Sequence, residues 1–167
     1  PDVVTIAKST GNGHPVAAVA TTRAIADAFG ARGPWFSSVG GGPVSCEVGL
    51  AVLRVLREEG LQENALKVGG QMRTLLADLV RRHPICGAVH GMGLYLGLEL
   101  VRDAGTLEPA VEETLAVCER MRELGVIVQP TGDYDNVLKL KPPLIVGADD
   151  VEQTVERLDS VLASGWL

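Results

Sequence analysis

Two spacings of apolar residues alternate along this chain, and each change of spacing predicts a new element. Val3, Val4, Ile6 and Ala7 make a short β-branched run that reads as a buried strand, with a second strand over Val16 to Ala20. Thr22 suits the N-cap of a short helix, Arg23 to Phe29, stopped by Gly30. After the loop Gly33-Pro34-Trp35-Phe36, Pro43 opens a helix in which Val48, Ala51, Val52, Val55 and Leu56 recur at helical spacing; Gly60 ends it. The next helix carries Leu61, Ala65, Val68, Met72, Leu75, Leu76 and Leu79 on one face and ends before Pro84.

From Ile85 the period shortens to two. Val89-His90-Gly91-Met92-Gly93 breaks a strand pair, and Leu94, Leu96, Leu98 and Leu100 alternate with Tyr95, Gly97 and Glu99, as in a half-buried antiparallel strand. A helix follows from Val111 to Leu124 with Val111, Leu115, Cys118 and Met121 inward, closed by Gly125. Val126 to Val128 and Val137 to Leu140 read as short strands, and Asp149 or Asp150 as the cap of a last helix bearing Val151, Val155, Leu158, Val161 and Leu162. This succession describes an α+β layer, helices packed on a mainly antiparallel sheet.

Composition narrows the function. The chain has 167 residues, enough for one domain with a core; it is 46% hydrophobic but 4% aromatic, so aliphatic side chains must fill that core. A formal charge of -6 argues against a nucleic-acid partner and against an anionic membrane surface. No apolar run reaches the ~18 residues of a membrane span. Cys46, Cys86 and Cys118 are far apart and in no metal spacing, which points to reduced thiols in a cytoplasm and to no metal site.

Three places carry candidate chemistry. Lys8 sits where the first strand ends, beside the turn Gly11-Asn12-Gly13. An amine at the mouth of an apolar strand can shed its solvation, as a Schiff-base lysine must; a plain surface charge fits the same residues. His14 in that turn is an acid–base group or a packing and capping residue. Ser37-Ser38-Val39-Gly40-Gly41-Gly42-Pro43 runs into a helix N-terminus, either as an anion cradle or as an ordinary loop and cap. Lys139 and Lys141 alternate with Leu138 and Leu140 and so share one strand face, solvated by default. His83 and His90 show no ligand-like partners in the sequence, and Tyr95 and Glu99 fall on the solvent side of their strand by alternation.

A strand ending in Ala-Lys, then Gly-Asn-Gly, a proline and a small-residue strand resembles the lysine segment of class III aminotransferases, fold-type I enzymes dependent on pyridoxal phosphate (PLP). The resemblance continues through FSSVGGGPVSC, VHGMGLYLGLEL and NVLKLKPPLIV. It implies that Lys8 carries PLP as a Schiff base and that Ser38 aligns with a threonine binding the PLP phosphate, commonly across the subunit boundary of a dimer. Serine keeps the hydroxyl, whereas Gly42 replaces a usual asparagine and loses an amide. In the transaminases an arginine three residues before the Pro-Pro pair clamps the substrate carboxylate; here that position is Lys139, a point charge that cannot make the fork. GNGHPVA, GGGPVSC and NVLKLKPP most resemble the branch of phospho-lyases acting on ethanolamine phosphate.

Family members are roughly two to three times this long. The resemblance therefore implies the C-terminal part of such an enzyme: residues 1–45 as the tail of an α/β PLP-binding large domain, and 46–167 as a linking helix and small C-terminal α+β domain. The implied activity is transfer of an amino group from a small-molecule amine, in a cytoplasmic homodimer. Phosphate elimination from amino-alcohol phosphates is the close alternative. A catalytically incomplete piece serving only dimerisation is a third reading, because the other cofactor anchors of the family would precede Pro1.

Overall fold

β1 (Val3–Ile6) pairs antiparallel with β2 (Ala18–Thr21), Val4 facing Ala20 and Ile6 facing Ala18. The computed structural model describes residues 1–164, and the chain divides into one compact unit of Pro1–Gly60 and a second that begins at Leu61. In the first unit α1 (Arg23–Gly30) starts at Thr22, whose hydroxyl accepts the Ile25 N–H at 3.4 Å. α2 (Pro43–Glu58) has Pro43 at its first position, where the missing N–H costs no hydrogen bond. It ends before Gly60, which takes a left-handed φ of 61°. The whole of α2 lies in the first unit.

One expectation fails here. β1 is not buried: Val4 is 41% and Ile6 39% exposed. A two-stranded ribbon hides its faces only under another layer, and none of its strand residues is buried in this unit. The second strand also begins later than its apolar run, at Ala18 rather than Val16.

The second unit is built on α3 (Leu61–Arg82), β3 (Cys86–Met92), β4 (Tyr95–Asp103), β5 (Glu108–Pro109), α4 (Val111–Glu123), β6 (Gln129–Thr131), β7 (Val137–Leu140) and α5 (Ala148–Ser164). Its sheet is antiparallel in the order β3-β4-β7-β6, with β5 pairing the far end of β4. Leu96, Leu98 and Leu100 of β4 and Leu138 and Leu140 of β7 face one side, as the period of two requires. They bury against Met72, Leu76 and Leu79 of α3 and Val151, Val155 and Leu158 of α5. The helices therefore sit on an antiparallel sheet, the α+β layer expected of a fold-type I small domain.

Three details differ from the sequence reading. The strand expected over Val126 to Val128 forms instead over Gln129–Thr131, and Ile127 is 84% exposed. In α4 the buried face is Thr114, Val117, Cys118 and Met121, while Leu115 points outward. Thr114 tolerates burial because its hydroxyl donates to the Ala110 carbonyl at 2.7 Å. Finally, α5 begins at Ala148, so Asp149 and Asp150 lie in its first turn; Asp150 reaches back to accept the Gly147 N–H at 3.2 Å. At the other end of α5, Asp159 accepts from Arg82 at 2.7 Å and pairs with His83 at 2.6 Å, tying α5 to the end of α3.

Candidate functional site

Lys8 opens a 3-10 turn, Lys8–Gly11, directly after β1, and its backbone is left-handed with φ 61°. That conformation costs a residue with a side chain on the order of 1 kcal/mol, so the surroundings must enforce it. The Thr10 hydroxyl donates to the Ala7 carbonyl at 3.0 Å, and the Asn12 N–H donates to the Ser9 carbonyl at 3.0 Å. Gly11 is buried, and a Cβ there would sit 3.0 Å from a Val16 methyl. The Lys8 side chain is exposed, and no ion pair among the described residues engages it.

The glycine-rich loop lies in the same unit. Ser37, not Ser38, has its hydroxyl committed to the loop: it accepts the Gly40 N–H at 3.0 Å. Ser38 is exposed. Gly40 is packed so closely that a Cβ would lie 2.8 Å from the Trp35 ring and 2.9 Å from the Ser37 Cβ. Gly41 follows with φ 72°, and α2 starts two residues later. No hydrogen bond joins Lys8 to Ser38 among the described residues. His14 links this part of the chain: its Nε2 lies 3.0 Å from the Ser45 Oγ in α2.

Lys139 belongs to the second unit. It is half-buried on β7, flanked in register by Gly97 of β4 and Gln129 of β6. Lys139 lies on the face opposite the buried Leu138 and Leu140, and Lys141 follows the last residue of the strand. Lys141 extends its amine over the Tyr95 ring, 5.9 Å from the centroid, a cation–π approach. Tyr95 received no role from the sequence, since that contact depends on the pairing of β4 with β7. Both lysines also line an open groove of about 610 Å³ shared with Gln129, Asp150, Thr154 and Arg157. On the same sheet face Glu99 pairs with His90 at 2.8 Å and lies 3.4 Å from the Asn136 amide nitrogen, which also donates to the Leu100 carbonyl at 2.9 Å. Those contacts make His90 and Glu99 part of the fold.

Among the described residues no group of three His, Cys, Asp or Glu side chains is placed to hold a metal ion, and no helix is long and apolar enough to cross a membrane. The donor set is instead an unpaired primary amine and a hydroxyl-bearing glycine loop in one unit, with a pair of lysines in the other. The model of the family Aminotransferase class-III matches residues 1–162.

The chain belongs to the class III aminotransferase family. It is 45% identical over 159 residues to an Arabidopsis thaliana protein named alanine–glyoxylate aminotransferase 2 homolog 2, mitochondrial, covering 95% of this chain and 33% of that one. With the ethanolamine-phosphate phospho-lyase homolog 1 of Caenorhabditis elegans it shares 39% identity, over 97% of this chain and 35% of the relative. It therefore spans about a third of the length of the curated relatives it matches. Among solved structures, a phospholyase from Arthrobacter in complex with phosphoethanolamine superposes with a TM-score of 0.94 at 39% identity, covering 99% of this chain and 39% of the other. An amine transaminase from an uncultivated Pseudomonas species, in its PLP-bound form, gives 0.88 at 34% identity, over 98% of this chain and 38% of that one. The fold is thus that of fold-type I PLP transaminases, of which this class III chain covers a part.

Proposed function

We propose that this chain is the lysine-bearing part of a PLP-dependent enzyme that transfers the amino group of a small-molecule amine. In this reading Lys8 holds the cofactor, Ser38 contacts its phosphate, and Lys139 contacts an anionic group of the substrate. The observation that carries it is Lys8 itself: an exposed, unpaired amine, held in a strained left-handed turn at the end of a strand. The donor set fits the cofactor, since an aldehyde needs a free amine and a phosphate needs hydroxyl and N–H donors from a loop that approaches closely. The PLP-bound state of a similar transaminase supports the same assignment.

PLP, when bound, supplies a ring that draws negative charge from the substrate carbon next to nitrogen. The chain's residues do the rest. Lys8 Nζ would hold the cofactor's aldehyde and, as a free amine, would be the base that takes the proton from that carbon and hands it to the carbon on the cofactor side of the same nitrogen. The Ser38 Oγ–H would donate to an oxygen of the cofactor's phosphate. Lys139 holds the substrate's anion as a point charge without the two-pronged geometry of arginine. A homodimer is the assembly we propose, since the phosphate contact of the family commonly crosses a subunit boundary. Three free thiols support a reducing compartment, taken here as the cytoplasm.

The test is Lys8→Ala in the full-length enzyme. The visible band of the lysine-bound cofactor and turnover should vanish while the fold persists; turnover above roughly a hundredth of normal would overturn the assignment, since a positioned acid–base group is worth ~10²–10⁴. A chain serving only to dimerise would show no absorbance even before mutation. Phosphate elimination from amino-alcohol phosphates is the second reading. Lysine at the clamp position, with Lys141 just beyond the end of the same strand, favours it, as does similarity to a phospholyase complexed with phosphoethanolamine.

A further inference from the structure

We infer that His14 is a positioning residue for Lys8, acting through its hydrogen bond to Ser45. The inference rests on the reading that Lys8 carries the cofactor, and it goes beyond that reading by naming what fixes the lysine in place.

The Lys8 turn is held mostly by itself. Its hydrogen bonds, Thr10 to Ala7, Asn12 to Ser9 and His14 N–H to the Gly11 carbonyl, each close a loop of three residues and fix only local shape. They do not fix where the turn sits. Two residues with side chains, Lys8 (φ 61°) and Asn12 (φ 45°), are left-handed within it, a conformation that persists only where contacts outside the turn hold it. Among the described residues one side-chain hydrogen bond leaves the turn for another element: His14 Nε2 to Ser45 Oγ, 3.0 Å, across 31 residues and partly buried. Apolar contact supports it, since Gly49 of α2 leaves room for a Val16 methyl 3.5 Å from where its Cβ would be.

Ser45 is the third residue of α2, immediately after the loop that carries Ser38. That bond, together with the Val16 contact on α2, sets the lysine turn against the helix start that anchors the hydroxyl loop. The chemistry suits positioning. A serine hydroxyl both donates and accepts, so the bond persists whether His14 Nε2 carries a proton or not. The ring nitrogen nearest any partner is thereby committed to structure.

The experiment uses the full-length enzyme loaded with PLP and compares His14→Leu, His14→Gln, Ser45→Ala and the double variant His14→Leu/Ser45→Ala. Glutamine places an amide near the reach of Nε2 and should restore most of what leucine loses. We expect His14→Leu and Ser45→Ala each to lower kcat about ten- to a hundredfold, the range that small misplacement of a reacting group produces. KM should stay within about threefold, and the double variant should be no worse than the worse single one. Without substrate, the same variants should shift the pH midpoint of the bound cofactor's visible band and slow uptake of PLP by the apoenzyme. Unchanged kcat, band and uptake in His14→Leu and Ser45→Ala would overturn the inference. So would losses that follow thermal stability alone, or that add fully in the double variant. If Lys8→Ala keeps the band of the lysine-bound cofactor or its turnover, the cofactor reading itself falls, whatever the His14 variants do.

Discussion

Gly69 in the middle of α3 and Gly93 in the β3–β4 turn meet backbone to backbone: a Cβ on Gly69 would overlap the Gly93 carbonyl and lie 2.8 Å from its Cα. Helix and sheet approach closely here because neither residue has a side chain. Gly93 is also left-handed, with φ 55°. Gly69→Ala should therefore destabilise the second unit by about 2–3 kcal/mol, as overpacking against rigid backbone does. Gly70, whose Cβ would meet nothing within 4 Å, is the control: Gly70→Ala should be neutral or slightly stabilising through helix propensity. Chemical denaturation of the two variants separates these outcomes, and equal effects would contradict the close crossing.

Lys139 separates the two chemistries. A transaminase of α-amino acids needs a carboxylate clamp, whereas a lyase for phosphorylated amines needs cations for a phosphate. We predict that the full-length enzyme releases inorganic phosphate from phosphoethanolamine-like substrates. Lys139→Ala should raise KM for them about ten- to a hundredfold, the loss of one charge-assisted contact. Lys139→Arg should hurt less. Efficient transamination of ordinary amino acids with no phosphate release from any phosphorylated amine would dismiss the lyase reading.

Acid sensitivity should centre on Asp159. Burial pushes its carboxyl up, but the His83 and Arg82 contacts together outweigh that and hold it below the usual carboxylate range. A depressed carboxylate stabilises the fold above its unfolded value, about 3.9, and loses that contribution as pH falls through the lower folded value. Asp159→Asn should weaken the fold near neutral pH and flatten the decline below about pH 4. An acid-unfolding profile as steep as that of the parent chain would show that other carboxylates, such as Asp103 with its Thr106 and Gly105 N–H donors, dominate.

The three thiols should react in a fixed order. Burial pushes Cys86 up to about 12 and Cys118 up to about 11, while Cys46 is exposed on α2. Alkylation of the folded chain near neutral pH should label Cys46 first, with Cys86 and Cys118 labelled only after denaturation. Rapid labelling of Cys86 would mean that the core around it opens readily.

What the sequence determined by itself is what depends on neighbours in the chain. The α5 face Val151, Val155, Leu158, Val161 and Leu162 and the β4 row Leu96, Leu98 and Leu100, with Leu94 just before it, are buried as their spacing required. Thr22 caps α1, and Pro43 opens α2 as expected. Each follows from a period or a cap that a few residues set. Burial of β1, by contrast, depends on what lies over it, and its apolar run could not report that. Val126 and Val128 alternate like a strand, yet the ladder forms at Gln129–Thr131, where β7 offers partners. Leu115 looked inward by type, but Thr114 could enter the core because the Ala110 carbonyl satisfied its hydroxyl. Tertiary structure alone decided the bonds between distant residues: His14 to Ser45, Lys141 over Tyr95, Gly69 against Gly93. Periodicity says which side of an element is apolar; which residue lies across from it is fixed only when the elements pack.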